Sequence, residues 1–304
     1  MSLVVPVPSE TFDVDLEDGA QIRVRRHGNR NGVRLTVTHG NGFAADAYLP
    51  FWDLLTPHYD VLVFDFRNHG QNTPADPPNH FYAQLSRDLA RVRDAIDARL
   101  GNKTTVGIFH SMSGRAAMKH AIEIGWRWAA LVLFDPPNVP PPDHPRYQAM
   151  EAFENRLTQW ALGRRRRFAA IGELADEYLQ SRTTKGWVPG AHELMARSVL
   201  RKRPDGDGYE LVCAPENEAA IYAEALTLNL WPPASAFGGP VKLIGADPHL
   251  KGAPATAETN YALGTENGYD YAFVPGTGHL LQIEKPAECA RLVEEFVTQC
   301  GLRS

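Results

Sequence analysis

The sequence predicts a mixed α/β protein built on a mostly parallel sheet of about eight strands. Two observations carry this. Short, near-continuous apolar runs such as Val61-Leu62-Val63-Phe64 and Leu131-Val132-Leu133-Phe134 suit strands buried on both faces. They alternate with segments of helical period, which is the rhythm of βαβ units. A third observation sets the domain plan. The rhythm breaks at Pro137, Pro140, Pro141, Pro142 and Pro145, and resumes only at Val241-Lys242-Leu243-Ile244.

In order along the chain, residues 11–16 and 21–26 each alternate, on either side of Glu17-Asp18-Gly19, and read as an opening antiparallel hairpin. Residues 34–38 form the next strand and end at His39-Gly40-Asn41-Gly42; a short helix is expected over 48–55. The clearest helix is 82–100, where Leu85, Leu89, Val92, Ile96 and Leu100 recur at three- and four-residue spacing before Gly101. A strand over 106–110, a helix over 114–124 and a strand over 131–134 follow. The stretch 138–236 is helical, irregular and rich in arginine and tryptophan, and is expected to be a helical cap inserted after the sixth strand. The core is then 1–137 and 237–304, closing with strands at 241–244 and 271–274 and a helix over 287–299.

Composition narrows the function classes. The 304 residues suffice for one large core plus an insertion, and a net charge of −5 leaves no footprint for nucleic acid or anionic membranes. Cys213, Cys289 and Cys300 are odd in number and far apart, so they suggest free thiols instead of a disulfide framework or a Cys-x-x-Cys metal pair. The start lacks the basic and apolar regions of a signal peptide, and no apolar run reaches about 18 residues. A cytoplasmic protein is expected, with a small-molecule substrate, no nucleic acid, no membrane and no cofactor or metal; homo-oligomer formation is left open. No phosphate-binding GxxxxGK[ST] loop or His-Glu-x-x-His pair occurs.

The chemistry centres on Val106-Gly107-Ile108-Phe109-His110-Ser111-Met112-Ser113-Gly114, a strand that stops at a serine and re-emerges as a helix. So sharp a turn presents Ser111 as a nucleophile, which needs a base, a group to orient the base, and donors for an oxyanion. Ser113 is the rival, but it would put Arg115 where strand and helix backbones require a small residue. Phe109 is large for its position, and its ring is expected to turn sideways into the core. The base is His279, in the glycine-rich loop Pro275-Gly276-Thr277-Gly278-His279 after the last strand. The favoured orienting acid is Asp247, just beyond the penultimate strand; the alternative is Asp135, also at a strand end. The oxyanion donors are expected to be the backbone N–H groups of Met112 and Asn41. His110 is expected to point away from the chemistry and His39 to brace a loop. Arg164-Arg165-Arg166-Arg167 reads as a solvated face, and Trp160, Trp187, Tyr222 and Trp231, with Phe168, as candidates for an apolar or aromatic acyl pocket.

With these segments and Asp65-Phe66-Arg67-Asn68-His69-Gly70 in this order, the chain resembles the α/β-hydrolase superfamily, in its serine-nucleophile branch with a cap between the sixth and seventh strands. The resemblance spans roughly residues 33–297, and the motif departs from G-x-S-x-G at Phe109 and Ser113. It implies that Asp65, Arg67 and His69 brace the oxyanion loop. The activity expected is acyl transfer on a small carboxylic ester or lactone. C–C bond hydrolysis of diketone-like compounds is the alternative, and a non-catalytic small-molecule receptor on the same scaffold comes third.

Overall fold

The computed structural model describes residues 3–302. Strands β1 (Glu10–Asp15) and β2 (Gln21–Gly28) form the opening hairpin. After β3 (Arg34–Val37) the chain winds through two 3-10 turns and the short helix α1 (Leu49–Trp52) into β4 (Asp60–Phe64). Helix α2 (Tyr82–Leu100) stops at Gly101, whose N–H makes the last bond, to the Asp97 carbonyl, and whose positive φ of 80° turns the chain out of the helix. Then come β5 (Thr105–His110), α3 (Met112–Glu123) and β6 (Ala130–Phe134).

Between β6 and the next strand of the main sheet come α4 (Tyr147–Leu162), β7 (Arg167–Phe168), α5 (Ile171–Gln180), α6 (Ala191–Val199), β8 (Leu200–Lys202), β9 (Tyr209–Leu211) and α7 (Pro215–Ala225). The three strands of this stretch make a small antiparallel sheet, ordered β7-β9-β8. The sequence suggested a helical, irregular stretch there and no strand, because strands of two or three residues are too short to show alternation. The chain closes with β10 (Val241–Gly245), α8 (Ala255–Glu266), β11 (Asp270–Phe273), α9 (Leu281–Glu284) and α10 (Pro286–Gln299).

The main sheet has eight strands in the order β1-β2-β4-β3-β5-β6-β10-β11. Only β1–β2 and β2–β4 are antiparallel; all other pairs are parallel. The apolar runs divide by alternation. Val61 and Val63 face the layer that holds α1 and α10, and Leu62 and Phe64 face the layer that holds α2 and α3. A sheet covered on both sides needs such runs. Among the described residues, no helix is long and apolar enough to cross a membrane.

Gly107 shows how tightly β5 is held. Phe109 is fully buried, its ring edge-on to Trp128 with centroids 5.2 Å apart. That ring lies over Gly107, where a Cβ would collide with it and stand 2.7 Å from Leu131 Cδ2. The large residue two before Ser111 is thus accommodated by the absence of a side chain four before it. Gly107→Ala should destabilise the protein by about 1–3 kcal/mol through overpacking, seen as a lower midpoint in urea at unchanged m-value.

Candidate active site

Ser111 sits between β5 and α3 with φ 55° and ψ −118°, a region that L-residues occupy only under constraint. Several contacts impose it. Its N–H donates to the Phe134 carbonyl at 2.9 Å, and its own carbonyl accepts the Arg115 N–H at 3.1 Å. Ser113 closes the turn from below: its Oγ donates to the His110 carbonyl and accepts the His110 N–H, both at 2.8 Å. Ser113 is therefore fully engaged and buried, whereas the Ser111 hydroxyl faces an imidazole.

That imidazole is His279. Its Nε2 lies 2.9 Å from Ser111 Oγ and its Nδ1 lies 2.6 Å from Asp135 Oδ2. The favoured acid of the sequence reading, Asp247, is not the group against the imidazole. Its Oδ1 accepts the His249 N–H at 2.8 Å and its Oδ2 the Gly276 N–H at 2.7 Å, so it ties down the loop that carries His279. The partner is the alternative, Asp135, directly beyond β6, fully buried and held at φ 40°. Burial alone would raise its pKa. The hydrogen bond from His279 outweighs that, with help from Thr256 Oγ1 at 2.7 Å and the Ala246 N–H at 3.1 Å, and the carboxyl is held below its ordinary range. Asn260 Nδ2, at 2.8 Å, adds a further donor.

Helix α8, which supplies Thr256 and Asn260, went unread in the sequence. Its buried face is mostly polar and small (Thr256, Thr259, Asn260, with Ala257, Ala262 and Gly264), and Leu263 is its one large apolar residue, so no apolar stripe marks it. The signal that could have found it is Thr256, Thr259 and Asn260 at three- and four-residue spacing, side-chain donors on one face of a helix.

The His279 loop is held from several sides. The Gly278 N–H donates to Glu284 Oε2 at 2.8 Å, Thr277 Oγ1 to the Val274 carbonyl at 2.7 Å, and His110 Nε2 to the His279 carbonyl at 2.8 Å. His110 in turn holds the Tyr48 hydroxyl at Nδ1, 2.7 Å away. Its ring is thus directed at the backbone, away from the Ser111 hydroxyl.

Across from Ser111 runs the loop after β3. Gly40 packs so closely that a Cβ would stand 3.1 Å from Ser111 Cβ and 2.9 Å from His110 Nδ1. Among the described residues, no hydrogen bond engages the backbone N–H of Asn41. Met112 opens α3, where first-turn N–H groups have no helical acceptor. Asp65 accepts the Ala45 N–H at 2.7 Å and pairs with Arg25. Arg67 pairs with Asp88 and Asp18. His69 Nε2 accepts the Gly42 N–H at 3.1 Å, and His39 Nε2 accepts the Phe66 N–H at 3.1 Å. His69, His80 and Cys213 bring three potential metal-ligating atoms within 4.8 Å of one another. Both nitrogens of His69 are already engaged there, by Gly42 and by the Arg67 carbonyl at 2.9 Å.

The three tryptophans expected to line an apolar pocket have separate surroundings. Trp160 is 52% exposed under the Arg164 guanidinium. Trp187 is core, between Tyr178 and His192. Trp231 packs by His144, its carbonyl held by Asn267 at 3.3 Å. Tyr222 lies among charged groups: burial, then Glu218 and Glu154, push its hydroxyl well above the ordinary range. Arg164 also departs from expectation. It is buried against Glu218, while Arg165 pairs with Glu173 and Glu177 at the surface and Arg166 and Arg167 are exposed.

Burial also depresses several histidines: His27 to about 4, His80 to about 3, and His110 to about 3, the last with a contribution from nearby His279. Unfolded histidine titrates near 6.5. Stability is therefore complete above that value and lost as the pH falls towards these folded-state values, because the unfolded chain takes up protons the folded one refuses. Each group should contribute a slope of about 1.4 kcal/mol per pH unit between roughly pH 6 and pH 4. Thermal midpoints across that window should fall steadily; a flat profile would contradict it.

A model of the alpha/beta hydrolase family matches residues 37–292, and the chain belongs to that family. The fold agrees with solved structures of low identity. E-2-(acetamidomethylene)succinate hydrolase superposes with a TM-score of 0.73 at 17% identity, covering 95% of this chain and 99% of that one. A malate-bound thermophilic esterase from Thermogutta terrifontis gives 0.67 at 19% identity, covering 96% and 99%. An N-formylmaleamic acid deformylase from Pseudomonas putida gives 0.66 at 16% identity, covering 94% and 100%. No curated protein matches the chain.

Proposed function

We propose that the protein is a serine hydrolase acting by acyl transfer on a small carboxylic ester or lactone, with residues 138–236 as a cap over the site. The observation that supports this reading is the unbroken line from Ser111 Oγ through His279 to Asp135, at 2.9 and 2.6 Å. In it, His279 Nε2 takes the Ser111 proton as Oγ attacks the carbonyl. The buried Asp135 carboxylate stabilises the imidazolium and fixes Nδ1–H, without itself taking the proton. The oxyanion is received by the N–H groups of Met112 and Asn41. His279 returns its proton to the leaving alcohol, then deprotonates the water that releases the acid.

The test is a fluorophosphonate probe followed by peptide mapping. A single adduct on Ser111, together with turnover of short p-nitrophenyl esters, is the expected result. Labelling with turnover only of diketone-like compounds moves the reading to C–C bond hydrolysis. No adduct on Ser111 overturns it in favour of a receptor.

A further inference from the structure

Between Ser111 and the insertion lies a set of buried charged groups that the reaction just described does not use. Arg115 stands one turn along α3 from Ser111; its guanidinium pairs with Glu154 of α4 and donates to the Tyr82 hydroxyl at 3.2 Å. Glu154 is fully buried. Its second oxygen, Oε2, has no hydrogen-bond partner among the described residues. A carboxylate oxygen shut away from water and unpaired is costly, and in a native structure it calls for an explanation.

A second acceptor, on the loop facing Ser111, has the same character. Asn41 Oδ1 is buried without a partner, and its orientation is fixed because Nδ2 donates to the Glu218 carbonyl at 2.8 Å. The two arginines, by contrast, are taken: Arg115 by Glu154, Arg164 by Glu218. Among these residues the unpaired atoms are acceptor oxygens, and both guanidinium groups already have a carboxylate partner.

We propose that Glu154 Oε2 belongs to a subsite for an acyl chain carrying a hydrogen-bond donor, an ammonium group above all. This rests on the reading of Ser111 as the nucleophile. An acyl chain ending in a carboxylate meets oxygens of its own kind there, and a purely aliphatic one leaves them unpaired. Donor-bearing chains are selected by what the other two cannot supply.

The experiment compares three 1-naphthyl esters of similar length, those of butanoate, β-alanine and succinate. In the wild-type protein kcat/KM should be about 10- to 100-fold higher for the β-alanine ester than for butanoate, the range of a hydrogen bond to a charged group. The succinate ester should be the poorest. Glu154→Gln should bring the β-alanine to butanoate ratio down towards one. If Glu154 served only to clasp α4 to α3, both rates would drop together and the ratio would stay. A wild-type ratio of one or less, or a ratio untouched by Glu154→Gln, overturns the subsite. The wild-type comparison decides even if the variant does not fold. Fluorophosphonate labelling separates the two levels: labelling with no preference sinks the subsite alone, and absent labelling sinks the reading beneath it.

Discussion

Asp135→Asn should lower kcat by about 10⁴-fold with the fold intact, the scale seen when a triad acid is replaced by its amide. The local hydrogen bonds say why. Oδ1 of Asp135 accepts from the Ala246 N–H and from Asn260 Nδ2, so an amide NH2 cannot sit there without facing two donors. It must turn to the Oδ2 side, where it meets His279 Nδ1 and the Thr256 hydroxyl. Nδ1 then has to accept, the proton moves to Nε2, and the imidazole can no longer take the proton of Ser111. Asp247→Asn removes no contact with the imidazole and should change kcat by less than about 10-fold, acting only through the loop it holds at Gly276. Steady-state kinetics on one ester with both variants decides; the opposite ranking would return the acid to Asp247.

Ser111→Ala should cost about 10⁶-fold in kcat, and His279→Ala about as much. In the proposed reaction the two groups share one proton path, so the double variant should be scarcely worse than either single one. The Ser111 contacts that set the turn are made by its backbone, so the alanine variant should retain the wild-type circular dichroism spectrum and ligand affinity. Loss of folding together with activity, or strictly multiplicative losses in the double variant, would place the chemistry elsewhere.

Most of the sheet was legible because its strands carry their own signal. β4 and β6 are unbroken apolar runs, and α2 shows helical spacing up to a glycine. The serine turn was legible for the same reason, a buried strand running straight into a helix. The partner of His279 was not. Asp135 and Asp247 both end a strand, and what distinguishes them is the company each keeps. That company comes from α8, whose inward face is polar so that it can solvate a buried carboxylate, and an inverted face of this sort defeats a search for apolar periodicity. The buried ion pairs of Arg115 with Glu154 and Arg164 with Glu218 were hidden likewise. Each joins residues from separate elements, and a run of four arginines gives no hint that its first member turns inward.

The Glu218 carbonyl on α7 holds the Asn41 side chain, and its carboxylate lies against the Gly42 backbone. The stretch between β6 and β10 is therefore not a detachable module. A chimaera that exchanged it for the equivalent stretch of another hydrolase would lose a buttress beneath Asn41. Grafting across this junction has to import a matching acceptor for that asparagine, or redesign the two together.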